Sequence, residues 1–223
     1  MKILPYGDTA LLVQFEKVIC PEVHLKVLRL AESLRAYARK GVINTQVAYN
    51  SLTIFFSPKM TSTADLMDLV FDLAEEKQDI DIVSDLVEIP VCYESAFALD
   101  QKVVQQETQL TWSEIVEKHT QVDYLVYMIG FVPGFMYLGG LDPALFMPRK
   151  EIPRTIVPQG SLAMAAQQTG LYPFETPGGW QIIGRTPIEL FNFQNPLVKP
   201  GDKVRFVPVS SREFNQYKKH KNV

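Results

Sequence analysis

At 223 residues, 47% hydrophobic and 21% charged, with a formal net charge of -3, the chain has ordinary globular composition and enough apolar material for a sizeable core. The length suits one large domain or two smaller ones, and a slightly acidic balance excludes a general attraction for nucleic acid. The one basic cluster, Lys218, Lys219, His220 and Lys221, lies at the extreme C-terminus, where a frayed, solvated tail is expected. Cys20 and Cys92 are far apart and show no metal-ligand spacing, which predicts free, buried thiols in a reducing compartment. The opening MKILPYGDTA reaches Pro5 and Asp8 before an apolar signal core forms, so a cytoplasmic location is expected.

ALLVQF (10–15) reads as a strand, and Pro21 then sits where a first helical turn accepts proline. Val23, Val27, Leu30 and Leu34 form one helical stripe that Gly41 terminates. VINTQVAY and SLTIFF follow as a hairpin, with Asn50-Ser51 as the expected turn. A second helix begins near Ser62, has Asp65 three residues on, and carries Leu66, Leu69, Val70 and Leu73. Strand, helix, two strands, helix make a small α+β sandwich over 1–85, and the acidic segment 75–85 is the boundary candidate.

LVEIPVCY (86–93) opens the second part, 86–223, as a strand, and helices are predicted over 99–108 and 112–119. Thr111 with Glu114 forms a capping box for the latter. VDYLVYMIGFVPGFMYLGGL (122–141) is nearly uncharged, but its glycines and Pro133 rule out a membrane span. A buried strand to Ile129 followed by a loop is predicted instead. Most of the 15 prolines lie between 133 and 208, separating the short apolar runs TIVP, SLAMAA, WQIIG, PIELF and KVRFVPV. Strands so punctuated predict a closed or nearly closed β-barrel.

No phosphate loop, dinucleotide fingerprint, zinc-protease motif or nucleophile elbow occurs, and three histidines do not suggest a metal site. The informative stretch is 130–191. Its glycines let a ligand or another chain approach the backbone, and its rings Phe131, Phe135, Tyr137, Tyr172, Phe174 and Trp180 supply contact area. Those rings either plug the barrel ends or build a site or interface. Arg149, Arg154 and Arg185 are candidates for holding a carboxylate or phosphate; the alternative is loop-tying pairs with Glu151, Glu175 or Glu189. Glu175, amid Pro, Phe and Gly, is the candidate general base if its setting is apolar. Ser161 and Thr169 can donate to a ligand, whereas His119 at a helix C-terminus can carry a charge favoured by the dipole.

G-F-x-P-G-F-x-Y-L-x-G-L, P-R-x-x-x-P-R-x-x-V-P-x-G-S, Q-T-G-x-Y-P and P-G-G-W-x-x-I-G-R-T-P resemble the KipI / allophanate hydrolase subunit 1 family, as do GDTALLVQF and VEIPVCY. Met136, Gln159 and Ala166 depart from its usual proline, alanine and glycine. The resemblance implies an N-terminal α+β domain followed by a cyclophilin-like β-barrel. It also implies a subunit of an ATP-dependent 5-oxoprolinase that works with a subunit-2 protein of the KipA/PxpC type and a PxpA-like subunit. ATP and magnesium would act at the level of that assembly. Two alternatives are an inhibitor of a sporulation histidine kinase and an allophanate hydrolase or urea carboxylase-associated subunit. Candidate catalytic residues are Glu175, Arg154 and Arg185. Candidates for substrate binding or an interface are Arg149, Pro133, Phe135, Tyr137, Ser161, Gln168, Thr169 and Trp180.

Overall fold

The computed structural model describes residues 1–36, 41–75 and 81–219, which group into two compact units, Met1–Ser84 and Asp85–Val223. In the first, β1 (Lys2–Pro5), β2 (Ala10–Gln14), β3 (Val42–Ala48) and β4 (Ser51–Phe56) form an antiparallel sheet in the order β1-β2-β4-β3. Helices α1 (Pro21–Ala36) and α2 (Thr63–Glu75) cover it. The period-2 positions Leu52, Ile54 and Phe56 meet Val27, Leu30, Leu34, Leu66, Val70 and Leu73 in one core. Ser62 caps α2 as expected, its hydroxyl accepting from the Asp65 amide at 3.1 Å and donating to the Asp65 carboxylate at 2.7 Å.

Two expectations shift here. Ala48 pairs with Ser51, so the hairpin turn is Tyr49-Asn50 and Ser51 already belongs to β4. Strand β1, unforeseen, pairs with β2 along its length. Part of the predicted 75–85 boundary (76–80) lies outside the described residues.

The second unit holds β5 (Leu86–Val91), α3 (Gln101–Thr108), α4 (Trp112–Thr120), β6 (Asp123–Ile129), β7 (Met136–Gly139), β8 (Arg154–Val157), β9 (Ser161–Ala165), β10 (Gln168–Leu171), β11 (Thr176–Gly178), β12 (Gln181–Arg185), β13 (Lys203–Pro208) and α5 (Ser211–Lys219). Seven strands form a sheet in the order β12-β9-β10-β7-β6-β13-β5, while β8 and β11 make a separate ladder. Only β13–β5 is parallel within the seven. The sheet curls until its ends meet: the Cys92 amide donates to the Arg185 carbonyl at 2.9 Å and the Arg185 amide to that of Cys92 at 3.0 Å.

The nearly uncharged stretch 122–141 becomes β6, a loop and β7, so the predicted loop ends in a strand. No described helix is long and apolar enough to cross a membrane. PIELF is not a strand; Pro187 lacks the amide a ladder needs, and Leu190 instead turns into the core. The basic terminus is not wholly a tail. Its Lys218 and Lys219 fall within α5, which Ser210 and Glu213 open as a capping box and Phe214 anchors, whereas 220–223 lie outside the described residues. Cys92 is buried but Cys20 is half-buried. Ala166 adopts φ +51, in the left-handed region, in the β9–β10 turn.

His119 is a further correction. It is fully buried, and its ring carries no charge at neutral pH because burial lowers its pKa from 6.5 to about 3. Thr169 Oγ1 donates its one proton to the Ala163 carbonyl at 3.0 Å, so it accepts from His119 Nε2 at 2.9 Å. Nδ1 is then the acceptor, and the Tyr93 hydroxyl donates to it at 3.0 Å. Acid therefore works against the fold at this residue. Below pH 6.5 the unfolded chain takes a proton that the folded ring refuses, so stability falls by about 1.4 kcal/mol per pH unit down to the folded value. We predict that the stability difference between the protein and His119→Gln, from urea unfolding, grows by about 1–2 kcal/mol from pH 5 to pH 7. A pH-independent difference would refute this assignment.

Candidate functional site

The outward face of the curled sheet carries the site. Register sets Tyr137, Gly170, Ala163 and Ile182 side by side across β7, β10, β9 and β12. Gly170 and Ala163 leave a shallow floor, and rings lie on it. A Cβ on Gly170 would sit 2.9 Å from Trp180 and 3.0 Å from Phe135. Phe135 meets Tyr137, Tyr172 and Trp180 with centroids 4.7, 4.9 and 5.5 Å apart, the last two edge to face. Burial pushes the Tyr172 phenol up to about 12, so it stays neutral. The exposed Arg149 places its guanidinium 5.9 Å from the Trp180 ring centroid, a cation on an aromatic face.

Beside the floor, the loop 130–135 closes on itself, with the Gly130 amide donating to Phe135 and the Phe135 amide to Val132. Gly134 (φ +84) lets Phe191 approach to where a Cβ would be 2.8 Å away. Phe191 packs against Phe174 and Phe193 at 5.6 and 4.6 Å. Phe131 and Phe193 remain 62% and 89% exposed, so an aromatic edge faces solvent.

A buried carboxylate ties the neighbouring loop down. Asp100, 3% exposed, receives both Arg154 terminal nitrogens at 2.7 Å, Lys150 Nζ at 2.9 Å and the Ile182 amide at 2.7 Å. Burial works to raise its pKa, but the Arg154, Ile182 and Lys150 hydrogen bonds outweigh that and hold it below the usual carboxylate range. The clamp fixes 150–154 and so the entry of Arg149 above Trp180.

The family model for the carboxyltransferase domain, subdomain C and D, matches residues 1–199. The chain belongs to this family. It is 38% identical to the B component of the Bacillus subtilis 5-oxoprolinase across 97% of this chain and 96% of that one. To the corresponding 5-oxoprolinase component of Escherichia coli O157:H7 it is 36% identical, over 91% and 93%. The solved structure of TTHA0988 superposes with a TM-score of 0.80 at 31% identity, over 91% of this chain and 40% of that chain. This family member therefore spans about two fifths of that solved chain.

Within the family frame, the sequence candidates scatter. Phe135, Tyr137, Trp180 and Arg149 come together, and Pro133 lies exposed on the adjoining loop. Gln168 is half-buried on β10. Ser161 is buried and donates to the Pro158 carbonyl at 2.6 Å, while Thr169 is inside the core beside His119. Glu175 is exposed, not set in an apolar pocket wall, because it lies in the loop entering the β8–β11 ladder. Arg154 pairs with Asp100, not with any of the three glutamates considered. Arg185 is half-buried, with Nε donating to the Gln159 carbonyl at 2.6 Å. Sequence reasoning missed Asp100, Lys150, Phe191 and Phe193; Asp100 had only its place before a helix to mark it.

Replacing Asp100 strands two cations at a desolvated spot. Asp100→Ala should cost roughly 3 kcal/mol by urea unfolding, and Arg154→Met less, since Lys150 still neutralises the carboxylate. Equal losses would remove Asp100 from the centre of the clamp.

Proposed function

We propose that this chain is the B-type component of an ATP-dependent 5-oxoprolinase, which converts 5-oxo-L-proline, ATP and water to L-glutamate, ADP and phosphate. The observation that carries the reading is end-to-end likeness to the B components of 5-oxoprolinases, with no large part of either chain left over. In this proposal the residues 1–85 and 86–223 are separate domains, the latter a cyclophilin-like barrel, and the chain is cytoplasmic and inactive alone. The exposed edge formed by Phe131, Pro133, Phe174 and Phe193 supports an assembled form, since a partner of the KipA/PxpC type would remove these rings from water.

A five-membered lactam is an unstrained amide that resists water, and phosphorylation of its carbonyl oxygen supplies the electrophile. ATP and magnesium belong to the assembly in this reading. Among the described residues no group of three His, Cys, Asp or Glu is placed to hold a metal ion. What this chain offers is a water-excluding aromatic floor and arginines suited to an anionic substrate.

Glutamate release from 5-oxo-L-proline with ATP and magnesium should appear only when this chain, a KipA/PxpC-like and a PxpA-like protein are mixed. Phe131→Asp with Phe193→Asp should abolish co-elution with the KipA/PxpC-like protein and lower turnover at least tenfold. Full activity without this chain would reject the reading; inhibition of a histidine kinase by the chain, with no turnover in the mixture, would favour the inhibitor alternative.

A further inference from the structure

Away from the aromatic floor, a groove of about 550 Å³ opens between α4 and the ends of β5 and β13. On α4 a spacing of four sets Trp112 and Val116 on one stripe, with Glu117 beside them. Glu94 comes from just beyond β5, and Pro208 and Val209 from the end of β13. Hydrogen bonds fix these walls. The Val209 amide donates to the Val91 carbonyl at 2.9 Å, and Trp112 Nε1 donates to the Tyr93 carbonyl at 2.9 Å. With its one donor spent, the half-buried indole offers the groove apolar surface and a π face.

Two carboxylates line this apolar groove without a cation to balance them. Glu94 Oε1 accepts the Ser211 amide at 2.8 Å, and the bonds from Ser211 hold its pKa below the usual carboxylate range. Glu117 Oε1 accepts Gln121 Nε2 at 3.0 Å. Both donors are neutral groups, so neither removes the charge. Lys118, the next residue on α4, pairs with Asp142 at 3.1 Å instead. Among the described residues neither glutamate meets a cation within ion-pair distance. The apolar walls call for an apolar body in the groove, and the two carboxylates select a positive charge on it.

We propose that the groove binds a small organic ammonium ion, a protonated amine on a compact aromatic or branched aliphatic body. The body packs on Trp112, Val116 and Val209, and the ammonium group is drawn to the two glutamates and the indole face. The volume falls within the roughly 300–1,000 Å³ of small-molecule sites. Both glutamates are exposed, so water screens the attraction, and a dissociation constant on the order of 0.1–1 mM is expected. The site goes beyond the function proposed above. It shares no residue with the aromatic floor and stands or falls without that reading.

NMR titration of the full chain with phenethylammonium, 2-phenylethanol and 3-phenylpropanoate tests this, with the indole N–H signals of its two tryptophans reporting the place of binding. Phenethylammonium should move the Trp112 signal saturably and leave that of Trp180 still. The alcohol should bind about tenfold more weakly, and the carboxylate not at all. Glu94→Gln and Glu117→Gln should each weaken the ammonium about threefold, and together about tenfold, with the alcohol unaffected. Salt at about 1 M, where the Debye length falls to about 3 Å, should weaken the ammonium alone. Should Glu94→Gln disturb the fold through Ser211, Glu117→Gln carries the charge test. Val116→Trp, which fills the groove and keeps both carboxylates, should abolish binding. Equal binding of ammonium and alcohol, a shift at Trp180 in place of Trp112, unchanged affinity in folded Glu117→Gln and Val116→Trp, or no saturation would overturn the proposal. So would a dimer in sedimentation that Val116→Trp dissolves, since the groove would then belong to a second copy of the chain.

Discussion

Two hydrogen bonds between Cys92 and Arg185 bring the edges of a seven-stranded sheet together, and the arrangement of the second unit depends on them. A curled sheet leaves unpaired amides and carbonyls wherever its edge strands do not meet, and buried groups of that kind are costly. Here the approach is permitted by Gly184, where a Cβ would lie 2.9 Å from both the Cys92 carbonyl oxygen and the Val91 side chain. The same contact closes the sheet around its core.

Once curled, the sheet has two faces with different demands. Inward, Ile89, Val126, Leu138, Leu162, Met164 and Phe206 pack with α3 and α4, and the Tyr93–His119–Thr169 chain satisfies its polar atoms without a charge. Outward, small residues at the positions facing Phe135 and Trp180 let the rings approach the backbone where larger side chains would push them away. The outcome is an aromatic surface on a rigid base, which suits a role in contact with another molecule better than a floppy loop would.

Charge is placed economically around that surface. Asp100 is buried among two cations and a backbone amide, so it holds the 150–154 loop without leaving an unpaired charge. The clamp joins the start of α3 to a loop fifty residues on. It decides where Arg149 stands relative to Trp180, although neither residue touches Asp100 in the contacts described.

Local signals were legible in the amino-acid order because they act over three or four residues. Pro21 at the start of α1, the Ser62 and Thr111 caps, the α1 and α2 stripes and the alternation in β4 all appear where the periodicity placed them. The family, too, was readable from the Gly-, Pro- and aromatic-rich motifs between 130 and 191. Other features depended on residues far apart in sequence. Glu175 and Arg154 looked alike as site candidates, yet one is exposed and the other locked to a carboxylate 54 residues away. His119 looked like a charged helix end, yet β10 and Tyr93, just beyond β5, enclose it and keep it neutral. Sequence determined the elements, the α+β class and the family; tertiary structure decided burial, pairing and charge, because desolvation and Coulomb attraction depend on neighbours in space.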